Sequence, residues 1–209
     1  FGMLMGVLSG LVLKKTAFKG NPVPFVMELP NYRFPSAKSV ALLIWDKAKD
    51  FLIRAFTVIF VASLVIWFLQ TFDTRLNVVA DSADSMLAGI GRLIAPVFAP
   101  LGFVDWRAST ALLTGFSAKE AVVSSMSLFY GFSLTDYAGA GAAMAGNFTP
   151  AAALAFIAFC ALYTPCVAAI ATIRREMNSK RWTAVCLGWQ LLVAYVVSVI
   201  VYHLAALFL

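Results

Sequence analysis

The sequence is poor in charge and nearly without histidine. Only 12% of its 209 residues are Asp, Glu, Lys or Arg, against about one quarter in an ordinary soluble domain. That is too little ionic surface for a water-facing body of this size. The sole histidine, His203, excludes a His-pair metal centre and reads as an ordinary residue near a membrane face. No glycine-rich loop ending in Lys followed by Ser or Thr occurs, which excludes nucleotide binding by that device and leaves no enzyme signature. The cysteines are an odd three, Cys160, Cys166 and Cys186, all in apolar stretches, and do not form a disulfide framework. Ten-residue alternation of the membrane-barrel type is also lacking. Phe1–Leu13 has neither the basic start nor the small-residue cleavage site of a signal peptide. It reads as the tail of a helix whose beginning lies upstream, so the chain is expected to be a piece of a longer protein.

What is present is apolar length. Hydrophobic residues make up 62% of the chain, and helices are the remaining way to satisfy a backbone inside a bilayer. The expected fold is all-α, a polytopic helical membrane protein with interrupted or re-entrant helices. Long apolar helices are expected near 1–14, 50–70, 150–173 and 182–209, the clearest being Phe51–Leu69, about the 20 residues a bilayer requires. Gly2, Gly6 and Gly10 line one face of the first. Residues 20–47 hold Pro22, Pro24, Pro30 and Pro35, which forbid a continuous helix, and Ser39–Lys49 reads as an interfacial amphipathic helix. Residues 86–104 carry Gly89, Gly91, Pro96, Pro100 and Gly102, the pattern of a short crossing or one arm of a re-entrant hairpin that turns at Asp105, Trp106 and Arg107. The next apolar stretch, 108–130, should break near Gly115, and 131–149 reads as a small-residue loop. The net charge of +6 comes largely from basic clusters in two loops, which report topology rather than nucleic-acid binding.

Two places could carry chemistry. Glu120 is a carboxylate in an apolar stretch, where insertion costs roughly 2.5 kcal/mol or more. Such groups face a cavity or a pathway. The bland alternative is a pair with Lys119, but adjacent helical residues point apart. If the helix unwinds at Gly115, free carbonyls lie beside a carboxylate, as in the cation sites of discontinuous transporter helices. Ser124 follows one turn later on the same face. The second place is Tyr163-Thr164-Pro165-Cys166. Within a helix, Pro165 would leave the carbonyl of Ala161 unpaired, with a thiol one residue on. Carbonyl oxygen plus sulfur suits a borderline transition metal better than sodium or magnesium. The alternatives are that Gly115 merely permits tight packing and that Cys166 is a small buried hydrophobe.

These motifs resemble one family. Pro24-Phe25-Val26-Met27-Glu28-Leu29-Pro30 with Tyr32-Arg33, the run Ile94–Phe103 with Asp105-Trp106-Arg107, Thr114-Gly115-Phe116-Ser117-Ala118-Lys119-Glu120, and Tyr163-Thr164-Pro165-Cys166 with Arg174-Arg175-Glu176 resemble, in order, the bacterial ferrous-iron transport protein B family. The resemblance implies the C-terminal half of an inner-membrane permease: residues 1–49 as the end of a transmembrane helix with a proline-rich cytoplasmic connection, and 50–209 as a second gate-type domain. It places the gate cysteine on Cys166 and the intramembrane glutamate on Glu120, and implies Fe2+ as the transported substrate; from their own positions beside the two breaks, Ser124 and Thr164 are expected to help hold the ion. GTP would act only through an N-terminal domain outside this chain, so the chain itself is not expected to be an enzyme. Implied partners are the lipid bilayer, the N-terminal half of the same permease, a small accessory protein and further copies of the protein. The rival readings are a gate-type transporter half for another solute such as a nucleoside, and a non-transporting membrane scaffold.

The charge pattern predicts a topology. Lys14, Lys15, Lys38, Arg174, Arg175 and Arg181 should share the cytoplasmic side, with Asp73, Asp81 and Asp136 opposite. Cysteines introduced one at a time and labelled from outside intact cells should react at position 81 and not at position 175; the reverse pattern would overturn the assignment.

Overall fold

The computed structural model describes residues 1–16, 36–163 and 166–208. The proline-rich connection, with its Pro24–Arg33 motif, lies outside the described residues except at its end, as do Thr164 and Pro165. Among the described residues there are ten α-helices and no strand; one isolated antiparallel bridge joins Phe72 and Val78. The all-α expectation therefore holds. The chain divides into two compact units, Phe1–Ile53 and Arg54–Leu209. The first contains α1 (Gly2–Thr16) and most of α2 (Ala37–Arg54). Within it, no described residue lies within 4 Å of a Cβ built on Gly2, Gly6 or Gly10.

The expected span at 51–69 is not one regular α-helix. A π-turn covers Ala55–Ile59 between α2 and α3 (Phe60–Thr71). A π-turn adds a residue to the turn and shifts the phase of every side chain after it. α3 ends in a tight loop organised by Asp73, whose carboxylate accepts the N–H groups of Arg75 at 2.7 Å and Asn77 at 2.9 Å. The Asn77 N–H, aided by that of Arg75, holds the Asp73 carboxyl below the usual carboxylate range.

α4 (Met86–Ile94) starts where Ser85 accepts the Ala88 N–H at 3.1 Å. It tightens into a 3-10 segment at Ala95–Leu101, which Pro96 and Pro100 favour by removing two donors. Gly102 then adopts φ +83°, and Asp105 caps α5 (Trp106–Thr114) by accepting the Arg107 N–H at 2.9 Å. The two arms are bent by 105°. Asp105 also receives the Tyr130 hydroxyl, while the Arg107 guanidinium lies 5.3 Å from the Tyr130 ring centroid. The Asp-Trp-Arg turn is thus an architectural joint between α5 and the end of α6.

α5 stops at Thr114, as the glycine predicts, and α6 (Glu120–Tyr130) begins after a five-residue turn. Part of the expected loop at 131–149 is helical: Asp136 accepts the Gly139 N–H at 2.9 Å and starts α7 (Tyr137–Met144). The capping carboxylate and the run of alanines explain the difference. The expected helix at 150–173 is two: α8 (Pro150–Leu162), capped by Thr149, and α9 (Val167–Met177). Only α10 (Lys180–Phe208, 29 residues) is by itself long and apolar enough to cross a membrane among the described residues; α4–α5 and α8–α9 qualify only as bent pairs.

α10 packs mainly along α8, and Ala152 and Ala155 of α8 share one buried core with Ala194 of α10. Small side chains let the two backbones approach, the usual basis of helix association where burial from water gives no drive. Above this seam sits an aromatic cluster. Phe98 stacks on Phe103 at 5.3 Å and meets Phe159 edge-on at 5.3 Å, while Phe103, Phe148 and Phe156 close a triangle.

Gly102 leaves no room for a methyl group. Its φ disfavours any L side chain by about 1–2 kcal/mol, and a Cβ there would lie 2.1 Å from the Tyr202 ring on α10. Gly102→Ala should lower the unfolding temperature of the detergent-solubilised protein, whereas Gly146→Ala, with nothing within 4 Å of its Cβ, should leave it nearly unchanged.

Candidate functional site

The two helix breaks meet. One is the turn at residues 115–119 between α5 and α6; the other lies between Leu162 of α8 and Val167 of α9. Three contacts join them. The Val167 N–H donates to the Phe116 carbonyl at 3.0 Å. The Lys119 ammonium donates to the carbonyls of Cys160 at 3.3 Å and Tyr163 at 3.4 Å, and stands 5.0 Å from the Tyr163 ring centroid. The Tyr163 hydroxyl reaches back to the Leu112 carbonyl at 3.5 Å.

Gly115 both ends a helix and permits contact. A Cβ there would lie 2.3 Å from Val122 and 2.4 Å from the Tyr163 hydroxyl oxygen. Across the same break, buried Thr114 and Ser125 share a hydrogen bond of 2.7 Å, and the Thr114 hydroxyl also donates to the Ala111 carbonyl at 2.8 Å. Helices α5 and α6 are therefore fastened where the main-chain ladder stops.

Glu120 is exposed and is the first residue of α6. A carboxylate there interacts favourably with the helix N-terminus, which softens the cost expected for a carboxylate in mid-span. It has no hydrogen bond or ion pair among the described residues; the neighbouring Lys119 is committed to the end of α8 instead. Ser124, one turn on, is also exposed. Cys166 is half-buried at the position preceding α9, and its side chain makes no capping bond. Thr164 lies outside the described residues. The Val167–Phe116 bond thus brings the residue after Cys166 against the turn that leads into Glu120. Among the described residues no group of three or more His, Cys, Asp or Glu could hold a metal.

A cleft of about 390 Å³ opens beside the breaks, lined by Phe98, Ser109, Leu112, Phe116, Phe159 and Tyr163 among others. It is almost wholly apolar. Its hydroxyls are already engaged, Ser109 with the Asp105 carbonyl at 3.1 Å and Tyr163 with that of Leu112.

Sequence reasoning missed Lys119, Tyr163, Thr114 and Ser125. Lys119 did carry a signal. A cation at the start of a helix is electrostatically misplaced with respect to that helix, and the placement makes sense only if another helix ends nearby.

Residues 52–180 match the family model described as Gate: Nucleoside recognition, and residues 1–47 match Ferrous iron transport protein B C terminus. Neither describes a GTP-binding domain. The chain is 39% identical over 207 residues to the Fe(2+) transporter FeoB of Staphylococcus aureus (strain COL), covering 99% of the chain and 31% of that relative. A Fe(2+) transport protein A/Fe(2+) transporter FeoB fusion protein of Porphyromonas gingivalis is 32% identical over 252 residues, covering 99% of the chain and 30% of the relative. The Fe(2+) transporter FeoB of Methanocaldococcus jannaschii is 32% identical over 207 residues, covering 96% and 30%. The chain therefore spans under a third of the length of these curated relatives. No solved structure matches. The chain belongs to the gate family, and its residues 1–47 carry the match to the C terminus of ferrous iron transport protein B.

The Thr114–Ser125 bond gives a direct test of the joint. Ser125→Ala should destabilise the protein by about 1 kcal/mol, the net worth of a typical internal hydrogen bond, whereas Ser124→Ala should not. Thermal unfolding in detergent measures both.

Proposed function

We propose that this chain is the C-terminal gate portion of a ferrous-iron permease that moves Fe2+ across the bacterial inner membrane, as part of a longer protein with a GTP-binding domain. The observation that carries the reading is the junction of two broken helices, one edged by the Glu120 carboxylate and the other by the Cys166 thiol, fastened by the Val167–Phe116 bond. Broken helices placed together are how membrane transporters build ion sites. Fe2+ accepts carboxylate, carbonyl and thiolate donors. The relatives named as Fe(2+) transporters support the same cargo, and the fusion relative supports a small accessory partner. α10 and the two bent pairs supply the crossings of a multi-pass membrane domain.

The family description mentions nucleosides, and the cleft is rich in aromatic rings. A nucleoside, however, needs polar groups free to read its base and sugar. Here the Ser109 and Tyr163 hydroxyls are spent on main-chain carbonyls, so the cleft disfavours a nucleoside. A scaffold would have no use for an unpaired carboxylate and an uncommitted thiol at the same junction.

Uptake of Fe2+ by cells expressing the full-length protein tests the site. Glu120→Gln keeps size and removes charge; Cys166→Ser keeps a polar atom and removes the soft ligand. Each should reduce uptake several-fold at normal expression and membrane insertion, and Cys166→Ser should also weaken discrimination against Mg2+. Normal uptake in both variants would refute the assignment.

A further inference from the structure

The last carbonyls of an α-helix have no partner within the helix, and that end carries partial negative charge. For α8 the end falls at Leu162. Three features that select a cation converge there: the Cys160 carbonyl, the Tyr163 carbonyl and the face of the Tyr163 ring. The cation present is the half-buried ammonium of Lys119, delivered from the opposite break. Its bonds of 3.3 and 3.4 Å lie beyond the usual N–H···O range of about 2.7–3.2 Å.

Lys119 is an odd choice for a purely structural plug. It stands immediately before α6, where positive charge opposes the helix dipole. The next residue is Glu120, exposed and without a partner among the described residues. A divalent ion arriving at the junction would meet this carboxylate. It would then compete for the carbonyl pair with twice the charge of the ammonium and hence, at equal distance, about twice the Coulomb attraction.

We propose that the Cys160 and Tyr163 carbonyls, with the Tyr163 ring, form a divalent-cation site that the Lys119 ammonium occupies at rest as a tethered competitor. Entry of the ion displaces the ammonium, and departure of the ion lets it return. Lys119 thereby sets the ion concentration at which the junction loads and keeps the carbonyls paired between ions. This inference rests on the reading of the junction as an Fe2+ path.

The test uses the full-length protein reconstituted in liposomes, with initial rates of Fe2+ entry measured without oxygen over a range of Fe2+ concentrations. Lys119→Met keeps the aliphatic stem and removes the charge. Lys119→Gln also removes the charge but retains an N–H donor for the carbonyls, and serves if the methionine variant does not fold. Lys119→Arg keeps the charge. Removing the charge should lower the Fe2+ concentration for half-maximal entry several-fold, while Lys119→Arg should not lower it. Fe2+ should also raise the unfolding temperature of the charge-free variant more than that of the parent. A half-saturating concentration that is unchanged or raised in the charge-free variants would overturn the competitor, since a merely structural lysine would weaken the protein without tightening ion binding. If the parent protein itself moved no Fe2+, the permease reading would fail, and this inference with it.

Discussion

A helix that stops among apolar neighbours leaves carbonyls and N–H groups that water cannot serve, and each such group must find a partner inside the protein. This chain stops two helices at one place and lets each break answer the other. The Phe116 carbonyl, freed where α5 ends, takes the Val167 N–H at the start of α9. The Cys160 and Tyr163 carbonyls, freed where α8 ends, take the ammonium of Lys119 from the turn before α6. The sharing fixes which helix ends are neighbours, and so fixes the order of α5, α6, α8 and α9 around the junction.

The surrounding packing holds that arrangement in register. Gly115 lets the Tyr163 hydroxyl come within reach of the Leu112 carbonyl, and the Thr114–Ser125 bond closes the gap in the main-chain ladder. Behind the junction, Phe98 and Phe159 link the 3-10 segment to α8, and Phe159 stacks on Tyr163 at 5.5 Å. The aromatic cluster thus ends on the same tyrosine that offers its ring to Lys119. Gly102 brings the turn after the 3-10 segment against Tyr202, so α10 is braced at this end as well as along α8.

The chemistry of the junction is divided among weak and strong donors. Main-chain carbonyls and a ring face suit any cation, whereas the carboxylate of Glu120 and the thiol of Cys166 add charge and softness. They stand at the rims of the two breaks, where helix ends leave side chains uncommitted.

Composition alone determined that the chain is helical and apolar, because 12% charge cannot clothe a soluble body of this size and the apolar runs are too long for barrel strands. Local chemistry also made several punctuation marks legible. Gly115 marks the end of α5, Pro96 and Pro100 mark the 3-10 segment, and Asp105 marks the turn into α5. The motif order marked the family, and Glu120 and Cys166 stood out as a carboxylate and a thiol beside breaks. Other features were hidden. The π-turn at Ala55–Ile59 has no sequence signature, and the Asp136 cap that starts α7 was masked by a run of small residues that reads as loop. The place of Lys119 at a helix start signals that another helix ends nearby, but the carbonyls it serves lie at the end of α8, and nothing local tells a lysine which distant helix that will be. Only the tertiary structure decided that pairing, since a helix end creates its demand for a partner only after the chain has folded around it.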